Sequence, residues 1–316
     1  MRVVFMGTPD FAASILDELK EQHEVIAVYT QPDAVRGRGK KLVPSPVKEL
    51  AVRAGIPVYQ PKTLRTPEEQ DRLRELAPDM ICVAAYGKIL PQEVLDIPEH
   101  GCLNVHASLL PKYRGAAPIE RAILAGDEQT GVCIMRMEAG MDTGDYCISR
   151  SCDIGDMSCK RLTAELAEKG AYALLSAIYA IELGNAHWTR QDESQVSYAP
   201  KIEKGELNCD PAEPMATNLR RVQASSDAHP SKCTIAGKGV TLLAAKAIEG
   251  EEAAAMGATP ARGEVSFCAK RLFLGCADGP IEITEVKPDG KKEMSAAAFA
   301  SGVQGIKTGK VIWERM

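Results

Sequence analysis

From the N-terminus to about position 138, short apolar runs alternate with segments of helical period. Residues 3–6, 25–29, 57–59, 80–84 and 102–105 read as strands, and 10–20, 46–54 and 67–76 as helices. Runs that are apolar throughout suit strands buried on both faces, and a helix between consecutive strands returns the chain to the same edge. The alternation therefore predicts βαβ units and a parallel sheet. A helix over 118–125, with Pro118 at its first turn and Gly126 beyond its end, and a strand over 132–138 extend the series. Apolar residues at 162, 166, 174, 178 and 181 predict one long amphipathic helix over 158–183 that closes this part of the chain.

The texture changes after Val196-Ser-Tyr198-Ala-Pro200-Lys201-Ile-Glu-Lys204-Gly205, which reads as a linker. A short helix near 211–223 precedes β-type runs at 232–235, 240–244, 263–267, 271–275 and 281–286. Short strands separated by glycine turns predict a small β-barrel. The expected organisation is a catalytic domain over 1–188, a linker over 189–205 and a barrel over 206–316. A chain of 316 residues is long for one hydrophobic core, which agrees with two domains.

Composition excludes several classes. With 45% hydrophobic and 26% charged residues the chain has the make-up of an ordinary globular protein. Its net charge of -5 makes it no polycation, so any nucleic-acid contact must rest on a local basic patch. The ten cysteines are scattered without a CxxC and several sit inside strand-like runs, so they read as reduced and mostly buried, not as zinc ligands. The chain opens directly on a strand, without a basic leader and apolar core of a signal peptide, and has no run of 18 apolar residues. The expectation is a cytoplasmic protein. A lone Gly7 after the first strand is not a dinucleotide fingerprint, so no nicotinamide cofactor is expected.

The chemistry concentrates in Gly101-Cys-Leu-Asn104-Val-His106-Ala-Ser108-Leu109-Leu110-Pro111. Asn104 and His106, two apart on a strand, share a face, and they lie at the strand's C-terminal end, where open α/β sheets bind ligands. Gly140-Met-Asp142-Thr-Gly144-Asp145 follows as a glycine-flanked turn presenting a carboxylate. An amide, an imidazole and a carboxylate in one pocket can hold a developing oxyanion and move a proton. Spacing alone leaves a hydrogen-bonded core histidine and a turn aspartate equally open.

The segment from Gln31 to Pro46 holds Arg36, Arg38, Lys40 and Lys41 against one Asp33. Its three prolines and two glycines argue against a regular element, and a loop of this length in a compact domain is usually functional or disordered. A solvated surface loop is the plain alternative.

The ordered text Asn104-Val-His106, Ser108-Leu-Leu-Pro111, Tyr113-Arg-Gly-Ala-Ala-Pro118-Ile and Asp142-Thr-Gly-Asp145 resembles the formyltransferases that use 10-formyltetrahydrofolate. Over nearly the whole first two thirds of the chain the likeness is to the methionyl-tRNA formyltransferases. That resemblance implies a Rossmann-like parallel-sheet domain followed by an OB-like barrel that helps bind tRNA. Gly290-Lys-Lys292 and Met294-Ser295-Ala296 resemble the barrel's text. It implies that Asn104, His106 and Asp142 form the catalytic trio. Ser108, Leu109, Leu110 and Pro111 fall on the tetrahydrofolate-contacting segment. Tyr86, Gly87, Ile89 and Leu90 fall on the pterin pocket, where an ordinary strand-to-helix turn is the other reading. Gly37-Arg38-Gly39-Lys40-Lys41 matches an inserted basic loop that enters the acceptor stem, with Arg38 reading the stem end and Arg36, Lys40 and Lys41 beside it.

The activity implied is formyl transfer from 10-formyltetrahydrofolate to the α-amino group of initiator methionyl-tRNA, by a monomer without a metal. Sugar-nucleotide N-formyltransferases share the trio, the Ser-Leu-Leu-Pro text and a C-terminal barrel, and the basic loop argues against them. An RNA-binding protein without catalysis would not need all three polar groups. A glycinamide ribonucleotide formyltransferase would leave the C-terminal part unexplained.

Overall fold

The computed structural model describes residues 1–36, 41–248, 250–306 and 311–316, with the backbone alone at 36 and 41. The chain opens with β1 (Arg2–Gly7), α1 (Asp10–Gln22) and β2 (Glu24–Tyr29). A small ladder of β3 (Ala34–Arg36) and β4 (Lys41–Val43) follows, then α2 (Pro46–Arg53), β5 (Val58–Tyr59), α3 (Pro67–Leu76) and β6 (Met80–Ala84). Next come α4 (Gln92–Leu95), β7 (Cys102–His106), β8 (Arg114–Gly115), α5 (Pro118–Ala125), β9 (Gln129–Arg136) and β10 (Tyr146–Asp153). The long α6 (Cys159–Glu182) and the two-residue β11 (Tyr198–Ala199) complete this stretch.

The main sheet has seven strands in the order β10-β9-β7-β6-β1-β2-β5. From β5 to β7 every pairing is parallel, whereas β9 runs antiparallel to β7 and β10 antiparallel to β9. Val3, Val4, Phe5 and Met6 at the sheet's centre are wholly buried, which explains why β1 is apolar without alternation. α1 buries Phe11, Ala12, Ile15, Leu16 and Leu19, one helical stripe. Ser45 caps α2 by accepting the Lys48 N–H at 3.1 Å. Gly7 cannot be larger, because a Cβ there would lie 2.6 Å from the Ala12 Cβ and 2.9 Å from the Ala84 carbonyl oxygen. That close approach lets the loops after β1, β2 and β6 meet. The Tyr86 carbonyl accepts from the Thr8 hydroxyl at 3.1 Å and from the Gln31 amide at 3.0 Å. The crevice where strand order reverses, between β1 and β6, is thereby built at the C-terminal ends of the strands.

The segment 31–46 contradicts the expectation of no regular element. Ala34 pairs with Val43, Val35 with Leu42 and Arg36 with Lys41 in an antiparallel ladder. Pro32, Pro44 and Pro46 fall outside the two strands and the glycines between them, so neither residue type interrupts a ladder bond. Asp33, at the base, is held by Lys48 Nζ at 2.8 Å and by the Gln60 amide at 2.9 Å. The Lys48 ammonium keeps its carboxyl below the usual carboxylate range.

The remaining elements are α7 (Met215–Gln223), β12 (Lys232–Ile235), β13 (Lys238–Ala247), α8 (Gly250–Ala255), β14 (Val265–Cys268), β15 (Arg271–Gly275), β16 (Pro280–Pro288), β17 (Met294–Ser295), α9 (Ala296–Ser301) and β18 (Trp313–Glu314). Their antiparallel sheet runs β14-β15-β16-β13-β12-β18, with β17 on β16. The two ends of that path meet. The Val265 N–H donates to the Val311 carbonyl at 3.0 Å and the Trp313 N–H to the Gly263 carbonyl at 2.8 Å. The barrel is thus nearly closed, which removes the exposed edges of an open sheet. Trp313 plugs it, its indole N–H donating to the Gly275 carbonyl at 3.0 Å.

The chain divides into two compact units that are not continuous in sequence. One gathers 1–118, 129–153 and 163–199, and the other 119–128, 154–162 and 200–316. In the second unit the Arg121 guanidinium holds the Pro200 and Lys201 carbonyls, both at 3.0 Å, and pairs with Glu206. Gln223 holds the Gly155 and Met157 carbonyls at 2.9 Å. Among the described residues no helix is long and apolar enough to cross a membrane.

All ten cysteines are free thiols, and only Cys147, Cys152 and Cys268 are partly exposed. Burial pushes Cys102 up to about 12 and Cys133 and Cys209 up to about 11, so little thiolate forms at neutral pH. Brief alkylation of the native protein, read by peptide mass spectrometry, should mark those three at most, and urea should open all ten. Rapid native labelling of Cys102 or Cys133 would contradict this packing.

Candidate active site

β7 carries the first two groups. Asn104 is flanked in register by Val83 on β6 and Met135 on β9, and His106 lies beside Cys133. β9 pairs with Asn104, Val105 and His106 in turn, so both side chains have fixed origins. The Asn104 side chain is half-buried, and among the described residues its amide has no hydrogen-bond partner. His106 is 5% exposed. Its Nε2 lies 3.0 Å from the Tyr113 carbonyl oxygen, which can only accept, so Nε2 carries a hydrogen and donates. Nδ1 is the ring nitrogen left for chemistry.

The turn after β7 is rigid by its own bonds. The Ser108 hydroxyl, wholly buried, donates to the Lys112 carbonyl at 2.6 Å. Tyr113 takes a left-handed φ of 62° and its N–H donates to the Ser197 hydroxyl at 3.0 Å. β8 and β11 then pair in parallel, Arg114 with Tyr198 and Gly115 with Ala199. Gly115 must be glycine, since its φ is 122° and a Cβ would lie 2.8 Å from the Ala199 carbonyl oxygen.

The third group enters on the loop between β9 and β10. Asp142 sits at φ 53°, an uncommon conformation for a residue with a side chain. Its Oδ2 accepts the Gly115 N–H at 2.8 Å and lies 3.7 Å from His106 Nδ1. That is an ion-pair separation, too long for a direct hydrogen bond. Oδ1 has no hydrogen-bond partner among the described residues. Gly144 lets the loop pass β9, for a Cβ there would fall 1.9 Å from the Arg136 carbonyl oxygen.

The expected trio is therefore brought together: an unpartnered amide, an imidazole with one nitrogen committed, and a carboxylate facing the other nitrogen. Such a set can donate to an oxygen that gains negative charge and accept a proton nearby. The residues expected to line a folate site are placed unevenly. Gly87 has φ 79° and Ile89 is 73% exposed, so that stretch offers backbone and an apolar face to a ligand. Tyr86, Leu90 and Leu110 are buried, Leu110 against Cys133 and Met135. Leu109, half-buried, packs over Gly131, where a Cβ would lie 2.5 Å from its Cδ2, and Pro111 is half-buried. Ser108 spends its hydroxyl inside its turn. Of the basic residues, Arg38 and Lys40 lie outside the described residues, and Arg36 and Lys41 are ladder partners of known backbone only.

Sequence reasoning missed two residues that touch this geometry. Arg114 stood in the motif without a role, and Gln191 lay unnoticed in a polar stretch. Arg114 is 2% exposed, and its Nε–H donates to the Gln191 side-chain oxygen at 3.0 Å. The Gln191 amide nitrogen donates to the carbonyls of Asp142 at 2.8 Å and Gly144 at 2.7 Å. An arginine followed by the small residues Gly115, Ala116 and Ala117 was the available signal, because a guanidinium in a closely packed turn must find acceptors.

Residues 1–178 match the formyl transferase family model, and residues 201–304 match that of the formyl transferase C-terminal domain. A methionyl-tRNA formyltransferase of Methylococcus capsulatus is 45% identical over 95% of this chain and 96% of its own. One from Stenotrophomonas maltophilia is 43% identical over 98% of this chain and 100% of its own. Among solved structures, HypX from Aquifex aeolicus in complex with tetrahydrofolic acid superposes with a TM-score of 0.65 at 20% identity, over 97% of this chain and 48% of that one. WlaRD, a sugar 3N-formyl transferase solved with dTDP and 5-N-formyl-THF, gives 0.65 at 16% identity, over 92% of this chain and 99% of its own. These two structures share the fold.

Proposed function

This chain belongs to the methionyl-tRNA formyltransferases, and on that premise we propose that Asn104, His106 and Asp142 carry the transfer. The enzyme moves a formyl group from formyltetrahydrofolate to the α-amino group of methionyl-tRNA. The donor in this reading is 10-formyltetrahydrofolate, the acceptor is the initiator tRNA, and the site is the cytoplasm. The nucleophile is the substrate's own amine, so the protein has to stabilise and deprotonate, not attack.

The observation that carries this reading is the single Asp142 oxygen that takes the Gly115 N–H at 2.8 Å and faces His106 Nδ1 at 3.7 Å. Attack on the formyl carbon places negative charge on the formyl oxygen. Collapse of the resulting intermediate breaks the bond to N10 of the folate, which takes up a proton as the amine gives one up. The Asn104 amide, which has no partner among the described residues, can donate to that oxygen. With Nε2 engaged by Tyr113, His106 meets the substrate through Nδ1. The Asp142 carboxylate faces that ring nitrogen at 3.7 Å and, through Oδ1, which has no hydrogen-bond partner among the described residues, can take the proton the amine releases. Ile89, Gly87 and the backbone of 108–111 would contact the folate, with Tyr86 and Leu90 supporting from beneath. Arg36, Arg38, Lys40 and Lys41 would meet the acceptor stem. In this reading the chain acts as a monomer, with catalysis in 1–188, a linker over 189–205 and further tRNA contact from 206–316.

The test is the choice of acceptor. Given labelled 10-formyltetrahydrofolate with initiator methionyl-tRNA, elongator methionyl-tRNA and an amino-sugar nucleotide, the enzyme should formylate the first best and the sugar not at all. Preferential formylation of the sugar amine would overturn the proposed acceptor.

A further inference from the structure

We infer that Gln191, held by Arg114, is a positioning residue that sets the Asp142 carboxylate against His106. The inference rests on Asp142 being the working carboxylate, as proposed above.

The orientation of the Gln191 amide follows from its neighbours. An arginine Nε–H can only donate, so the atom 3.0 Å from it must be the amide oxygen. The two carbonyls of Asp142 and Gly144 can only accept, so the amide nitrogen faces them, and both of its hydrogens are used. Gln191 is 4% exposed, so water does not replace these bonds easily. Arg114 is held in turn by two bonds to Glu193, at 2.7 and 3.3 Å. Since the Glu193 side chain is 68% exposed, that outer pair is screened, and the buried bond to Gln191 is the firmer link.

Asp142 needs such a hold. Its left-handed backbone at φ 53° is unfavourable for a residue with a Cβ and persists only where the surroundings enforce it. Gln191 grips the carbonyl of that residue and the one two further on, so it fixes the peptide planes on both sides of the turn. Gly115, next to Arg114 in the chain, grips the carboxylate itself. Arg114 thus controls Asp142 twice, through its side chain at the backbone and through its strand neighbour at the oxygen. Residues 197–199 complete the hold, because the Arg114 N–H donates to the Ser197 carbonyl at 2.9 Å.

The experiment is a double-mutant cycle on the full-length enzyme, with kcat and KM for initiator methionyl-tRNA and the folate dissociation constant measured for each variant. Gln191→Leu should lower kcat by about 10-fold or more while leaving KM and folate affinity within about 2-fold. In an Asp142→Asn background the same change should cost less than about 3-fold, because the group it positions has already lost its charge. Gln191→Glu keeps the acceptor for Arg114 and loses both donors to the turn, so it should match the leucine variant. An equal loss in both backgrounds would show that Gln191 acts elsewhere and overturn the inference, as would native kcat in a folded Gln191→Leu. If both Gln191 variants fail to fold, the residue holds the fold and the inference is equally lost. Near-native activity of Asp142→Asn alone would instead overturn the role given to Asp142, a result visible before Gln191 is touched.

Discussion

Asp142→Asn should lower kcat by about 10²-fold or more while the protein stays folded and binds folate normally. The substitution is nearly isosteric, and the asparagine oxygen can still accept the Gly115 N–H now bonded at 2.8 Å. The backbone bonds from Gln191 to residues 142 and 144 do not involve the side chain and survive. What disappears is the negative charge facing His106 Nδ1 at 3.7 Å and, with it, the base proposed to take the amine's proton. Both matter more in the transition state than in the ground state, so the loss belongs in kcat. His106→Ala should cost as much, but less cleanly. It removes the hydrogen bond between Nε2 and the Tyr113 carbonyl, and losing such a bond costs roughly 0.5–1.5 kcal/mol of stability. Thermal melts beside single-turnover rates separate the two effects. A folded Asp142→Asn enzyme with near-native kcat would remove Asp142 from the mechanism.

How far the sequence carries differs by element, for physical reasons. α3 (Pro67–Leu76), β6 (Met80–Ala84), α5 (Pro118–Ala125) and β12 (Lys232–Ile235) end where apolar periodicity, proline and glycine say they should. β10 is different. Tyr146–Asp153 is an edge strand with mostly exposed or half-exposed residues, so it has no apolar run to reveal it. The β3–β4 ladder is hidden because its prolines lie outside the strands and its glycines between them, so composition alone argues against a regular element. Asn104 and His106 were readable as a pair since strand period alone puts them on one face. That Asp142 joins them was readable only through the resemblance, because nothing local brings a loop 36 residues away onto β7. Gln191 bonds a carbonyl 49 residues back in the chain, a contact that no periodicity records. Its hold follows from tertiary structure alone, as does the commitment of the Ser108 hydroxyl to its own turn.

Arg38→Ala should damage formylation of initiator methionyl-tRNA by about 10- to 100-fold in kcat/KM and leave folate affinity unchanged, the size expected when a bidentate guanidinium contact worth roughly 1–3 kcal/mol is lost. The surroundings sharpen this expectation. Asp33, the one acidic residue in the segment, is already paired with Lys48 at 2.8 Å and so does not offset the basic residues beyond it. Lys48 and Gln60 pin the base of the β3–β4 ladder to the sheet domain. The Val35 and Leu42 side chains, cross-strand partners, are 60% and 67% exposed, an apolar pair with no protein core to fill. A guanidinium can hold a phosphate and a base edge together, which an ammonium cannot do. Lys40→Ala should therefore weaken initiator and elongator methionyl-tRNA alike and reduce the salt slope of binding by about one. Steady-state formylation of both tRNAs, with binding measured at several salt concentrations, distinguishes the two patterns. If Arg38→Ala acts equally on both tRNAs, the arginine supplies charge and no recognition. If it leaves initiator formylation unchanged, the acceptor stem is read by another part of the protein, and the basic segment is solvated surface.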